Sequence, residues 1–347
     1  MEKFLKSSNQ ERKFIIEKVA SDLGLRFDVV EKDIWVCFVL DKLFSLKELQ
    51  GKLTFKGGTC LSKAYNLISR FSEDVDITIS KSCLKISETS KKPKEIKSRT
   101  RKAAAEFVND KIRKVLSESF VRELKVGEWS LEVDEEDASA LIFSFHSASP
   151  DVFPATFPIQ FTNNYNYIKP SIKLEFGALG DDFPTEEKSV EPYAKKILPD
   201  YFQATQVRVL DVKRNFLEKL LILHSVYCRP IDKKLRNHYS RHYYDVFALI
   251  EAGIGKDAIK LPDVLQSVVE NKITFWNESW KPYDMIESFS DIRLIPQDQS
   301  RLKELETDYA KMKEMFFADY PTFSEIVNEL TKFEKTLLKT SEAQVAK

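Results

Sequence analysis

The chain has no net charge: 54 lysines and arginines meet 54 aspartates and glutamates across 347 residues. A global basic field is therefore excluded, and a nucleic-acid partner must meet a local patch. Cysteine is scarce, with only Cys37, Cys60, Cys83 and Cys228, no CxxC pair and no close spacing. That argues against a disulfide framework or a zinc knuckle. Reduced thiols in a cytoplasm are the simple expectation. No apolar run in the chain approaches the ~20 residues of a membrane span, so no membrane partner is expected. The opening stretch MEKFLKSSNQERKF is polar and lacks the apolar core of a signal peptide. His238 and His242 have metal-ligand spacing on a helix, but nothing nearby completes a zinc set.

What is present is a globular composition, 43% apolar and 31% charged, sufficient for a real core. Residues 10–48 carry apolar positions at helical spacing. Residues 52–55 form a short strand that runs into Gly57-Gly58, and a helix follows over 59–69 with Thr59 as its N-cap. Residues 74–79 (DVDITI) alternate strictly and predict a half-buried strand. Residues 81–102 hold nine Lys or Arg against two Glu, a solvated loop leading into a helix at about 101–118. The same charge run can hold RNA phosphates. A sheet is expected over 121–176, from VRELKV, WSLEV, LIFSFH and IKLEF, and a loop over 177–206. From Val209 the pattern is helical. These segments predict an α+β fold. A mixed sheet would occupy residues 1–206, and a helical C-terminal domain, 207–347, would close the active-site cleft.

The densest chemical signal is FKGGTCLSKAYNLISRFSEDVDITI, residues 55–79. Gly57 and Gly58 follow a strand and open a helix. Glycine lets a backbone approach a phosphate closely, and a helix N-terminus favours anions. A second strand then delivers Asp74 and Asp76. Period two puts both carboxylates on one face, roughly 7 Å apart by strand rise. Two carboxylates so placed can hold one or two Mg²⁺ ions, which neutralise triphosphate charge and activate an attacking oxygen. A lone DxD on a solvent-exposed strand would mean little. Here the apolar partner face of Val75, Ile77 and Ile79 marks the strand as half-buried.

This order of elements resembles the polymerase-beta-type nucleotidyltransferase superfamily, although the 15 residues between Gly58 and Asp74 make a slightly long gap for it. It looks more like one branch, the AbiEii/AbiGii-type toxins of abortive-infection and toxin–antitoxin systems. The residues that carry the resemblance are Glu31-Lys32-Asp33, Phe55-Lys56-Gly57-Gly58-Thr59, Leu61, Lys63, Tyr65, Arg70-Phe71-Ser72, Asp74 and Asp76. The match is dense over 31–79 and sparser afterwards.

The resemblance implies a nucleotidyltransferase with a nucleoside triphosphate substrate and Mg²⁺, or Mn²⁺ in its place. It implies Gly57, Gly58, Thr59, Lys63, Arg70 and Ser72 at the nucleotide. It also implies a third carboxylate on a later strand. Glu175 is the candidate, and Asp134 and Glu132 are its rivals. Lys219, in Glu218-Lys219-Leu220, is ringed by Phe216, Leu217, Leu220, Leu221 and Ile222. A lysine facing the interior needs an anion, such as a triphosphate. The plainer reading is a lysine snorkelling at the core edge. Arg241-His242-Tyr243-Tyr244-Asp245 resembles an Arg-Asp-x-x-Asp segment with His242 in place of the first Asp, which makes Asp245 a site candidate. Arg241 and Asp245 can also simply pair at i,i+4. The resemblance further implies tRNA 3′ ends as acceptors and a separately encoded antitoxin, often a winged-helix protein. Transfer to a small molecule or a protein, and a non-catalytic nucleotide-sensing or antitoxin-docking module, are the other readings.

Overall fold

The structure, a computed structural model, describes residues 1–72, 74–84, 86, 92–149, 169–316 and 319–345. The described chain divides into two compact units. The first is Met1–Ala64 with Phe71–Val209, and the second is Tyr65–Arg70 with Leu210–Lys347.

The first unit begins with α1 (Glu2–Lys6), α2 (Asn9–Leu23) and α3 (Phe27–Ser45). Gly24 breaks the helical stretch expected over 10–48, taking φ 64° where α2 ends. A left-handed C-terminal residue is tolerated best by glycine. Next come β1 (Leu53–Lys56), α4 (Gly57–Lys63), β2 (Val75–Ile79), α5 (Pro93–Phe107) and α6 (Arg113–Glu123). One π-helical turn, Val108–Ile112, links the last two helices. The strands β3 (Trp129–Val133), β4 (Ala140–Phe145), β5 (Ser171–Gly177), β6 (Thr185–Val190) and β7 (Thr205–Leu210) complete the sheet. Its order is β3-β4-β5-β2-β1-β7-β6. β2 runs antiparallel to β1 and parallel to β5, while β1 runs parallel to β7, so the sheet is mixed. The α+β class is as expected.

One sheet face is apolar because strand period two gathers Val75, Ile77, Leu174, Phe176, Leu141 and Phe143 on it. Trp35 and Phe38 of α3 and Phe120 of α6 pack with Phe143 and Phe145 at centroid separations of 5.1–6.3 Å. The other face carries Lys56, Asp76, Lys173 and Glu175.

Four local expectations are corrected. The helix opening at Gly57 stops at Lys63 rather than continuing to residue 69. Asn66 lies beyond it at φ 53°, outside the helical region. The helix expected from about 101 starts at Pro93, the first helical position, where a missing N–H costs nothing. VRELKV is no strand. α6 runs through Glu123, and Leu116 and Phe120 are buried four residues apart while Val121 is 62% exposed. The 177–206 loop contains β6, whose sequence TEEKSV is polar because it lies at the sheet edge. Residues 85, 87–91 and 150–168, parts of the basic stretch and of the expected sheet region, lie outside the described residues.

The second unit holds α7 (Val212–Tyr227), α8 (Arg241–Glu251), α9 (Ile254–Ala258), α10 (Pro262–Trp276), α11 (Gln299–Ala310) and α12 (Phe323–Val345). Asp211 caps α7 by accepting from Lys213 N and Arg214 N. Asp308 of α11 fixes the approach to α8, accepting from His238 N at 2.7 Å and from Ser240 N at 2.9 Å. Segment 65–70 is tied into this unit. Tyr65 donates its hydroxyl to Leu210 O at 2.8 Å, and Ser69 N donates to the Tyr244 hydroxyl at 3.1 Å. Among the described residues no helix is long and apolar enough to cross a membrane.

Candidate active site

β1, β2 and β5 lie side by side, and their register aligns Lys56, Asp76 and Glu175 in one row across the polar face. In the antiparallel β1–β2 pair, directly opposed side chains such as Lys56 and Asp76 have Cβ atoms about 4.5–5.5 Å apart. Asp74 lies two residues before Asp76, at the entrance to β2. The Glu175 carboxyl is pushed above its ordinary range by burial first, then by the charges of Asp76 and Asp74. Lys173, 3.4 Å from Glu175, works in the opposite direction. Of the rivals, Asp134 is engaged by Lys173 at 3.0 Å, and Glu132 by Arg113 at 3.0 Å. Only Glu175 stands opposite Asp76.

Gly57 permits this row. It takes φ +76°, and a methyl group on it would fall 1.9 Å from Asp76 Oδ2. The carboxylate therefore lies on the glycine backbone itself. Thr59 is inside α4 and is not its cap. Its hydroxyl donates to the carbonyls of Asp74 and of Ser72, so it holds the backbone that presents the carboxylates. Gly58 and Thr59 are both buried.

The Glu31-Lys32-Asp33 segment forms part of the framework. All three residues are buried in α3. Glu31 accepts from Ser147 Oγ at 2.5 Å and from Ala148 N at 2.6 Å. Asp33 accepts from Tyr193 N at 2.7 Å and pairs with Lys63 at 2.6 Å. Lys63, expected at the nucleotide, has its ammonium on Asp33 and 3.7 Å from the centre of the Tyr193 ring. Burial opposes its charge, but the Asp33 carboxylate outweighs burial and raises its pKa.

In the second unit, the anion that Lys219 requires is Asp245, at 2.8 Å. Arg70 grips the same carboxylate with two bonds, Nε to Oδ1 at 2.7 Å and Nη2 to Oδ2 at 2.8 Å. Burial opposes the charge on Asp245. The two cations outweigh it and hold the carboxyl well below the usual range. Arg70 and Lys219, both distant in sequence, hold Asp245, where a plain i,i+4 pair with Arg241 is the alternative reading. His242 is kept neutral by burial and by the neighbouring Lys219 and Arg241.

The residue that the sequence reading left without a role is Lys56. It shares the row with Asp76 and Glu175, and its ammonium lies against Gly180, where an added methyl would come within 3.1 Å. Its place in FKGGT, one residue from the strand end, was the available signal.

The donors suit a hard divalent cation: carboxylate oxygens on one face, with like charges crowded beside Glu175. As they stand, no three His, Cys, Asp or Glu among the described residues form a group ready to hold a metal.

A strand, a Gly-Gly turn, a helix, an acidic strand and a second acidic strand beside it define a nucleotidyltransferase core. The chain belongs to the AbiEii family, whose description is nucleotidyl transferase AbiEii toxin, type IV toxin–antitoxin system, and which matches residues 39–329. It is a nucleotidyltransferase of that toxin family. No curated protein sequence matches the chain. Among solved structures, it is similar to MenT4, a nucleotidyltransferase toxin from Mycobacterium tuberculosis. Identity is 16%, coverage is 92% of this chain and 98% of that one, and the TM-score is 0.41.

Proposed function

We propose that this toxin-family enzyme transfers a nucleoside monophosphate from a nucleoside triphosphate to the 3′ end of tRNA, in the cytoplasm, under the control of a separately encoded antitoxin. The observation that carries the chemistry is the alignment of Asp76 with Glu175, with Asp74 adding its charge. Asp74, Asp76 and Glu175 would hold Mg²⁺, or Mn²⁺, which when bound neutralises triphosphate charge.

The rest falls to the chain's own groups. The acceptor hydroxyl oxygen bonds to the α-phosphorus, the bond from that phosphorus to the bridging oxygen breaks, and pyrophosphate leaves. The hydroxyl proton passes to Glu175. Gly57 and Gly58 let the backbone approach the phosphates, and Ser72 lies on the segment that leads into Asp74. Lys219 uses one of its three N–H donors on Asp245 among the described residues. We assign the others to phosphate oxygen, with Asp245, itself gripped by Arg70, holding that ammonium in place. Residues 1–206 would form the catalytic domain and 207–347 the helical one. Positioning and charge neutralisation supply most of the rate.

The test is incubation of the purified protein with total tRNA, Mg²⁺ and each α-labelled nucleoside triphosphate, beside an Asp74→Ala/Asp76→Ala variant. Label on tRNA that vanishes in the variant supports the reading. Label on a protein or small molecule instead refutes the acceptor.

A further inference from the structure

The chain is neutral overall, yet residues 92–102 carry Lys92, Lys94, Lys97, Arg99, Arg101 and Lys102 against the single acid Glu95. In the structure this segment opens α5, and Lys94, Arg99, Arg101 and Lys102 are exposed. Lys102 pairs with Glu106 at 3.9 Å, with the lysine side chain 81% exposed. A pair that long and that wet holds its cation weakly.

The helix beneath these cations is anchored. Thr100 and Ala104 are its buried residues, and it packs beside β5, the strand of Glu175. After it, Asn109 ties the π turn to Ala105 O at 2.8 Å and to Ala138 O at 3.1 Å. The positive charge is thus fixed on the catalytic unit, next to a strand of the carboxylate row.

The chemistry of this surface selects its partner. Among the described residues, none of the large exposed apolar side chains lies on α5. A protein interface draws its affinity from buried aromatic and aliphatic anchors, and α5 offers none. A nucleic-acid backbone needs only phosphate contacts, which are sequence-independent and electrostatic. From residue 92 to 102 the helix advances about 15 Å, enough to follow several phosphates of one strand.

We propose that the exposed flank of α5 binds the sugar–phosphate backbone of the acceptor RNA and so brings its end to the carboxylate row. This rests on the tRNA reading above. Its test is nevertheless separate, because it measures RNA binding without transfer.

The experiment compares the full-length protein with Lys94→Glu/Arg101→Glu/Lys102→Glu and with the charge-conserving Lys94→Arg/Arg101→Lys/Lys102→Arg. Binding of total tRNA is measured from 50 to 200 mM salt, with thermal unfolding and Mg²⁺-dependent nucleoside triphosphate binding as folding controls. The reversal is expected to weaken tRNA binding at least about tenfold and to flatten the plot of log affinity against log salt by about 2–3. Nucleotide binding stays intact, and the conserving variant keeps tRNA affinity. tRNA binding that the reversal leaves unchanged overturns the proposal. So does a wild type that binds no tRNA at 50 mM salt, the result expected if α5 faces an acidic protein. RNA binding that depends on α5 without any transfer of label supports the surface and refutes only the acceptor.

Discussion

Glu175 stands opposite Asp76 on the adjacent parallel strand, and burial together with Asp76 and Asp74 raises its pKa. Like charges so placed oppose folding. Glu175→Gln should therefore gain about 0.2–1 kcal/mol of stability while losing roughly 100-fold in nucleotidyl transfer. Urea unfolding and label transfer, run on one preparation, check both halves. A variant that is less stable and fully active sinks the assignment.

Gly57→Ala puts a methyl where Asp76 Oδ2 lies, at a backbone φ of +76°. The left-handed conformation alone costs about 1–3 kcal/mol. Displacement of the carboxylate adds a loss of transfer. Gly24→Ala is the control, since it shares the positive φ but meets nothing within 4 Å. It should destabilise without touching activity.

Asp245 neutralises two buried cations, Arg70 and Lys219. Asp245→Ala strands both and should cost about 3–5 kcal/mol. Lys219→Met leaves the two-bond Arg70–Asp245 pair in place and should cost clearly less, yet still impair transfer. The Asp245 carboxyl is depressed in the folded state, so its stabilisation is complete above its unfolded pKa and is lost as pH falls through its folded pKa. Acid unfolding of the wild type against Asp245→Asn reads that difference.

Glu31 behaves in the opposite sense. Burial lifts its pKa from 4.5 to about 7 despite the bonds from Ser147 and Ala148. An acid raised on folding holds its proton in the folded chain after the unfolded chain has lost it. Stability then falls as pH rises from about 4.5 to 7, by about 3 kcal/mol in all. Glu31→Gln should flatten that slope in urea titrations taken at pH 4.5, 6 and 8. An unchanged slope assigns the effect elsewhere.

Thr54 and Thr78 are register partners on β1 and β2, and among the described residues neither buried hydroxyl has a hydrogen-bond partner. Thr78→Val keeps the shape and removes the unmet group. About 1 kcal/mol of added stability is expected, read as a raised urea midpoint.

The sequence by itself singled out the candidate acidic strand. Period two put Asp74 and Asp76 together, and Gly57 marked a backbone that something must approach. These signals are local, so they survive without a fold. It also placed the helices around Phe14–Leu43 and beyond Val209, because apolar spacing reports a helix face directly. It could not read β6, where an edge strand is kept polar, nor stop α4 at Lys63. Tertiary structure alone decided which carboxylate faces Asp76, since Glu132, Asp134 and Glu175 share one alternation and only strand order separates them. It also gave Lys63 to Asp33, and gave Lys219 and Arg70 to Asp245. Those partners lie up to 175 residues apart. A buried charge takes whichever opposite charge the packing delivers, and periodicity carries no record of that choice.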